Sequence, residues 1–165
     1  MSSSTPEGLT AAVITVSDSC ARGDRIDLSG PAVGEVLRKR NFVLMGTEIV
    51  SDEQSAIQTA IAYWVQEAHL VVTTGGTGIA ERDVTPEATR AVCERLLEGV
   101  AERMRSEGAR KTPLAALSRG VCGVRGKSVI LNLPGSPAGA VDSLAAVIDV
   151  LPHALQLLSG KTKHE

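Results

Sequence analysis

Aromatic side chains are nearly absent from this 165-residue chain: Phe42, Tyr63 and Trp64 are the only ones. The interior must therefore be packed from Ala, Val, Leu and Ile, a composition suited to helices lying close on a sheet. The same scarcity removes the stacking platforms on which single-strand nucleic-acid binders hold bases. Positive charge is not in excess either. Seventeen basic against nineteen acidic residues leave a formal charge of −2, so no basic field gathers nucleic-acid phosphates. Cysteine is sparse: Cys20, Cys93 and Cys122 lie far apart with no C-x-x-C pair, which argues against zinc and dithiol chemistry. They read as structural thiols of a reducing cytosol. No apolar run reaches membrane-spanning length. Residues 1–8 are polar and lack the charged-then-apolar order of a signal peptide. The expectation is a disordered tail over 1–8 and one soluble, cytoplasmic domain over 9–165, long enough for a core that needs no staples.

What the chain does have is glycine in one informative place. Thr73-Thr74-Gly75-Gly76-Thr77-Gly78 follows the apolar run Leu70-Val71-Val72 and leads through Glu81-Arg82-Asp83 to Thr85-Pro86, where a helix should begin. Three glycines in four residues let a backbone approach a ligand closely and aim its amides at phosphate oxygens. A helix start adds partial positive charge. Two familiar nucleotide motifs fail here. A dinucleotide fingerprint would need glycine where Glu81 stands, and a Walker A loop ending at Gly126-Lys127-Ser128 would need glycine where Val121 stands. The stretch reads as a phosphate-handling loop of another kind.

Periodicity supplies the frame. A first strand spans Ala11 to Val16, and a loop rich in charge and glycine runs to Ser29, which caps a helix begun by Pro31 and ending near Arg40. A second strand covers Phe42 to Val50. Ser51 to Gln54 has capping-box spacing and opens a helix to Ala68, with Ala56, Ile57, Ala60, Ile61 and Trp64 on one face. A third strand, His69 to Thr73, feeds the glycine loop, and Thr85 caps the next helix. Arg95 to Arg110 reads as helix, and Lys111-Thr112-Pro113 starts a short one. Val121–Val124 and Ser128–Leu133 flank a hairpin turn. A last helix spans Gly139 to Leu158, kinked at Pro152.

Strands alternating with helices predict an α/β fold of three layers: a mostly parallel sheet with helices on both faces and one antiparallel hairpin strand. Ligands of such sheets gather beyond the carboxyl ends of the strands. Four segments leave those ends, namely Ser17 to Ser29, Ser51-Asp52, Gly75 to Asp83 and Pro134 to Pro137. The pattern converges on one polar crevice.

Taken together, Ser17-Asp18-Ser19 with Asp27 to Pro31, Ser51-Asp52-Glu53, Thr74 to Thr89, Thr112-Pro113 with Leu117-Ser118-Arg119, and Leu133 to Pro137 resemble the molybdopterin adenylyltransferases of MogA/MoaB type, which are similar to the G domain of gephyrin. The resemblance spans roughly residues 10 to 160. It implies transfer of AMP from ATP to the terminal phosphate of molybdopterin, with magnesium assisting and pyrophosphate released. It also implies a homotrimer or hexamer and a downstream molybdenum-insertion protein as partner. By the same resemblance Asp52 and Asp83 are the catalytic, metal-holding carboxylates. Gly75, Gly76, Thr77, Gly78 and Ser118 serve the nucleotide, and Ser17, Ser19, Asp27, Ser29 and Ser136 the pterin and its phosphate.

Plainer roles stand beside these. Asp52 precedes a helix that it would also cap. Ser29 and Asp27 suit a turn and cap, as does Ser136. Arg82 is either an exposed partner of Asp83 or Glu81 or a phosphate ligand. His69, His153 and His164 have no metal-like neighbours, and Arg38-Lys39-Arg40 suits a helix end. Two other functions remain: a MoaB-like pterin-binding protein without adenylylation, and a nucleotide hydrolase of the competence-damage type.

Overall fold

Each β-branched run expected to form a strand finds a partner in one sheet. In the computed structural model, which describes residues 8–160, six strands form one sheet in the order β2-β1-β3-β6-β5-β4. They are β1 (Thr10–Val16), β2 (Val43–Val50), β3 (Leu70–Thr74), β4 (Arg95–Leu96), β5 (Cys122–Arg125) and β6 (Ser128–Leu133). β2, β1, β3 and β6 run parallel, whereas β5 returns antiparallel to β6 and β4 antiparallel to β5. The N-terminal tail read over 1–8 lies, apart from Gly8, outside the described residues, as does His164.

The central strands are mostly apolar on both sides because both sheet faces are covered, with Thr73, Thr74 and Asn132 among the buried polar exceptions near their carboxyl ends. On one face Val13, Leu70, Val72, Leu131 and Leu133 meet α2 (Ser29–Lys39), α5 (Glu98–Ala109), α6 (Pro137–Val147) and α7 (Leu151–Leu158) through Val33, Leu37, Met104, Leu144 and Leu151. On the other, Ile14, Val71 and Ile130 meet α3 (Gln54–Glu67) and α4 (Thr85–Val92) through Ile57, Ile61 and Ala88. A fully buried side chain of this size contributes about 1.5–3 kcal/mol, so these two sets carry most of the stabilisation.

Connectivity then decides where a ligand fits. From β1 the chain crosses one face through α2 to β2. From β3 it leaves over the other face through α4, toward the opposite sheet edge. The carboxyl ends of β1 and β3 therefore open a crevice at a topological switch point.

Several local expectations are corrected. Ser17 to Ser29 is not all loop: a one-turn helix α1 (Asp18–Ala21) starts on Ser17, whose hydroxyl accepts from the Cys20 amide. Ser29 does not cap α2 but lies inside it, and the Asp27 carboxylate receives the Gly30 amide instead. Neither Ser51 nor Asp52 caps α3, whose flanking residue is Glu53 without a side-chain cap bond. Thr85 is likewise the first residue of α4 rather than its cap. Arg95–Leu96 is an edge strand, because the Glu94 and Leu97 amides reach the Val124 and Cys122 carbonyls, both at 2.8 Å; helix begins only at Glu98. The final helix is two helices bent by 61°, with Pro152 in the first turn of α7, where its missing N–H disturbs nothing.

Candidate functional site

The glycine loop is a tight turn wedged between three elements. Gly75 and Gly76 take φ of 96° and 70°, the left-handed region that favours glycine. A Cβ on Gly75 would strike the Val16 carbonyl oxygen, and one on Gly76 the Thr85 hydroxyl. The Gly75 amide donates to Leu133 O (3.0 Å), and Thr85 Oγ1 donates to Gly75 O (2.9 Å), tying the turn to β6 and α4. Behind it Asn132, buried on β6, donates through Nδ2 to Thr73 Oγ1 (3.0 Å) and Thr89 Oγ1 (2.9 Å) and accepts the Val121 amide (3.1 Å). Every buried polar atom among the described side chains has a partner. The turn is thus rigid before any ligand arrives.

The ends of β1 and β2 are locked to each other by two aspartates. The Asp18 amide donates to Asp52 Oδ2 (2.8 Å) and the Asp52 amide to Asp18 Oδ1 (2.9 Å). Arg82 then grips Asp18 with Nε and Nη2 and reaches Glu53 with Nη1, at 2.9–3.0 Å. Its partners are therefore not Asp83 or Glu81. The Asp52 amide and the Arg82 guanidinium hold the Asp18 carboxyl below its usual range. Burial, with the charges of Asp18 and Asp83 adding to it, holds Asp52 above. A carboxylate whose ionised form is disfavoured by burial and by like charges gains most from a cation.

Two cavities open beside this frame. One, of about 360 Å³, is walled by Ser17, Ser29, Gly75 and Asp52. The other, of about 510 Å³, is walled by Thr77, Gly78, Ser118 and the apolar Met104, Leu114 and Leu117. Gly76, Asp83, Gly135 and Ser136 border both. Asp52 and Asp83 flank the glycine turn itself. Asp52 Oδ1 lies 3.4 Å from where a Gly76 Cβ would stand, and Asp83 Oδ2 2.9 Å from that of Gly78.

Of the residues expected from sequence, Ser17, Ser29, Asp52, Asp83, Gly75, Gly76, Thr77, Gly78, Ser118 and Ser136 border this double cavity. Ser136 does so while also capping α6. Ser19 and Asp27 border neither. The Ser19 hydroxyl meets that of Ser17 at 3.2 Å. Asp27 is engaged by Thr15 Oγ1 (2.7 Å), the Gly30 amide (3.0 Å) and Ser29 Oγ (3.4 Å), so it orients α2 from behind the wall. Sequence reading missed Asp18 as the partner of Asp52. It also missed the rim formed by Arg25, Ile26 and Leu28, the latter two 81% and 63% exposed at the mouth of the first cavity. Two exposed aliphatics in a polar loop were the available signal.

No group of three or more His, Cys, Asp or Glu side chains among the described residues is arranged to hold a metal. Two carboxylates on the first cavity, Asp83 in the shared wall and Asp52 beside it, suit a magnesium ion whose remaining ligands are water and substrate phosphate, so these residues fit that group.

An open α/β sheet with a rigid glycine turn and two carboxylates at its switch point defines a domain built to bring phosphates together. Comparison with known proteins agrees. The family described as "Probable molybdopterin binding domain" matches residues 12–153. The chain is 43% identical over 152 residues to a molybdopterin adenylyltransferase of Helicobacter pylori (strain J99), covering 90% of this chain and 86% of the relative. It is 37% identical over 168 residues to the molybdopterin adenylyltransferase of Escherichia coli (strain K12), covering 92% and 86%. The crystal structure of the molybdopterin biosynthesis enzyme MoaB from Thermus thermophilus superposes with a TM-score of 0.87 at 51% identity, over 92% and 97% of the two chains. This chain belongs to the molybdopterin-binding family of molybdenum cofactor biosynthesis.

Proposed function

We propose that this protein is a molybdopterin adenylyltransferase, which moves the AMP moiety of ATP onto the terminal phosphate of molybdopterin and releases pyrophosphate. The observation that carries this reading is the wall common to the two cavities: Gly76, Asp83, Gly135 and Ser136 border a space on either side. Two phosphorylated molecules seated there would meet end to end.

The polar cavity with Ser17 and Ser29 suits the pterin and its phosphate. The larger one, with Thr77, Gly78, Ser118 and an apolar flank, suits the nucleotide. A terminal oxygen of the pterin phosphate forms a bond to the α-phosphorus of ATP as the bond from that phosphorus to the pyrophosphate oxygen breaks. Both reactants are anions, so the barrier is largely charge repulsion and loss of freedom. The amides of Gly76 and Gly78, which border the cavities, supply fixed positive dipoles, and the rigid loop keeps the phosphates aligned. Magnesium, held by Asp52 and Asp83, would neutralise charge on the substrate phosphates.

The same reading takes the protein to be cytoplasmic and a homotrimer or hexamer, passing its product to a molybdenum-insertion protein. Support for assembly comes from edge strand β2, where Val43, Met45 and Ile49 are 53%, 48% and 45% exposed. Among the described residues no single helix is long and apolar enough to cross a membrane.

The test is incubation of purified protein with molybdopterin, ATP and magnesium. Adenylylated pterin and pyrophosphate are expected in equal amounts. Pterin binding without pyrophosphate would make the protein a binder only. Cleavage of ADP-ribose or nicotinamide mononucleotide without pterin would make it a hydrolase. Asp83→Asn should cut turnover by roughly 100-fold or more while pterin binding persists. Unchanged turnover would remove Asp83 from the machinery.

A further inference from the structure

We infer that Arg119 is a positioning residue of this site, holding the loop 78–83 so that the Asp83 carboxylate stands in the wall between the two cavities. The inference rests on the adenylyltransferase reading and adds to it a residue that touches neither substrate. Arg119 borders neither of the two cavities. Its nitrogens are turned instead onto the loop between them. The backbone amide donates to Thr77 O (2.8 Å), Nε to Gly78 O (2.8 Å) and Nη2 to Asp83 O (2.7 Å). Nη1 binds Glu87 Oε2 on α4 at 2.6 Å. One side chain thus clasps the carbonyls at both ends of the segment 78–83 and ties it to a helix.

On its other side the segment is held by the exposed Arg82 side chain, through Asp18 and Glu53; Arg119 is what holds the backbone at its two ends. Within it the Asp83 amide reaches Ala80 O (2.9 Å) and the Ala80 amide reaches Asp83 Oδ2 (3.0 Å). Ile79 is 70% exposed and adds no packing. The arginine itself is braced from α5, because Arg105 Nη1 donates to Gly120 O (3.0 Å) and Ser118 O (3.5 Å), the carbonyls on either side of it. The strut runs from α5 through Arg105, the backbone at 118–120 and Arg119 to Asp83. Charge-assisted bonds to carbonyls are about twice as strong as neutral ones. A lysine cannot make this forked contact, since its single ammonium cannot span two carbonyls and a carboxylate in one plane. Ser118 borders the nucleotide cavity, so the strut also links that cavity to the carboxylate at its far wall.

The test compares Arg119→Met, Arg119→Lys and Glu87→Gln, each checked for folding by circular dichroism and thermal midpoint. For Arg119→Met, kcat should fall about 100-fold, the cost of a misplacement near 1 Å, with KM for pterin and ATP within roughly twofold. Arg119→Lys should recover only part of that loss. Glu87→Gln keeps both carbonyl contacts and should hold kcat within about threefold. Amide exchange at 78–83 should quicken at least about tenfold in Arg119→Met and stay put in Glu87→Gln. A folded Arg119→Met with kcat near the parent's, or with both KM values raised in step with kcat's fall, would overturn the inference. Exchange at 78–83 equal to the parent's would overturn it too, and this readout needs no turnover. If the unmutated protein transfers no AMP, the function has failed, while the exchange data still decide on Arg119.

Discussion

Replacing Gly76 by alanine puts a methyl group against the hydroxyl that secures the glycine turn. At φ 70° an L-residue sits in the left-handed region, and its Cβ would collide with Thr85 Oγ1, with Thr85 Cβ at 3.3 Å and Asp52 Oδ1 at 3.4 Å. The backbone strain costs roughly 1–2 kcal/mol. Pushing Thr85 aside also breaks its buried bond to Gly75 O, which costs about 1–3 kcal/mol more. The total is about 3 kcal/mol, a fall in thermal midpoint of roughly 6–12 °C for a domain of this size. Thr85→Ala alone should cost about 1–2 kcal/mol by losing the same bond. In the double variant the collision with the hydroxyl is gone and only strain and the lost bond remain. The pair should therefore be less destabilised than the sum by about 1–2 kcal/mol. Urea unfolding followed by fluorescence of Trp64, the single tryptophan, measures all three variants. Additivity within about 0.5 kcal/mol would refute the packing described for this turn.

Asp52→Asn should raise the thermal midpoint near pH 7 while abolishing transfer. Because burial holds this carboxyl above its usual range, the folded state resists its ionisation. The cost is therefore absent below the unfolded value of about 4 and is incurred as pH rises through the folded one, so the gain from asparagine should vanish on acidification. A stability difference that grows toward low pH would contradict the assignment. Among the thiols, burial pushes Cys93 up to about 11 and Cys122 up to about 12. Iodoacetamide near pH 8 should then modify the native protein only at Cys20, on the wall of the first cavity, and saturating pterin should slow it. Modification of a second thiol without denaturant would contradict the burial.

The parallel strands were legible because β1, β3 and β6 are short continuous apolar runs, a signature of strands covered on both faces. The edge strand β4 was not, since two residues carry no period and only pairing with β5 defines them. Cap assignments failed for a related reason. Ser29, Ser51 and Thr85 have the right chemistry, but tertiary partners claimed two of them: Ser29 Oγ meets Thr74 Oγ1 at 2.9 Å and Thr85 Oγ1 serves Gly75 O. The break before α7 turned on tertiary packing as well, with Leu151 and Leu155 drawn into the core on a new axis.

The chain order alone determined that loops rich in glycine, hydroxyl and carboxylate groups leave the same ends of a parallel sheet, because alternating strands and helices leave few other arrangements. It also marked Gly75 to Gly78 as a close-approach loop, since three glycines in four residues leave the backbone unobstructed. Only the tertiary structure decided which charges meet. Asp18 and Asp52 lie 34 positions apart, and Arg82 and Asp18 lie 64 apart. Arg119 meets Glu87 across 32. Such pairings depend on crossovers and side-chain reach, for which linear spacing carries no signal.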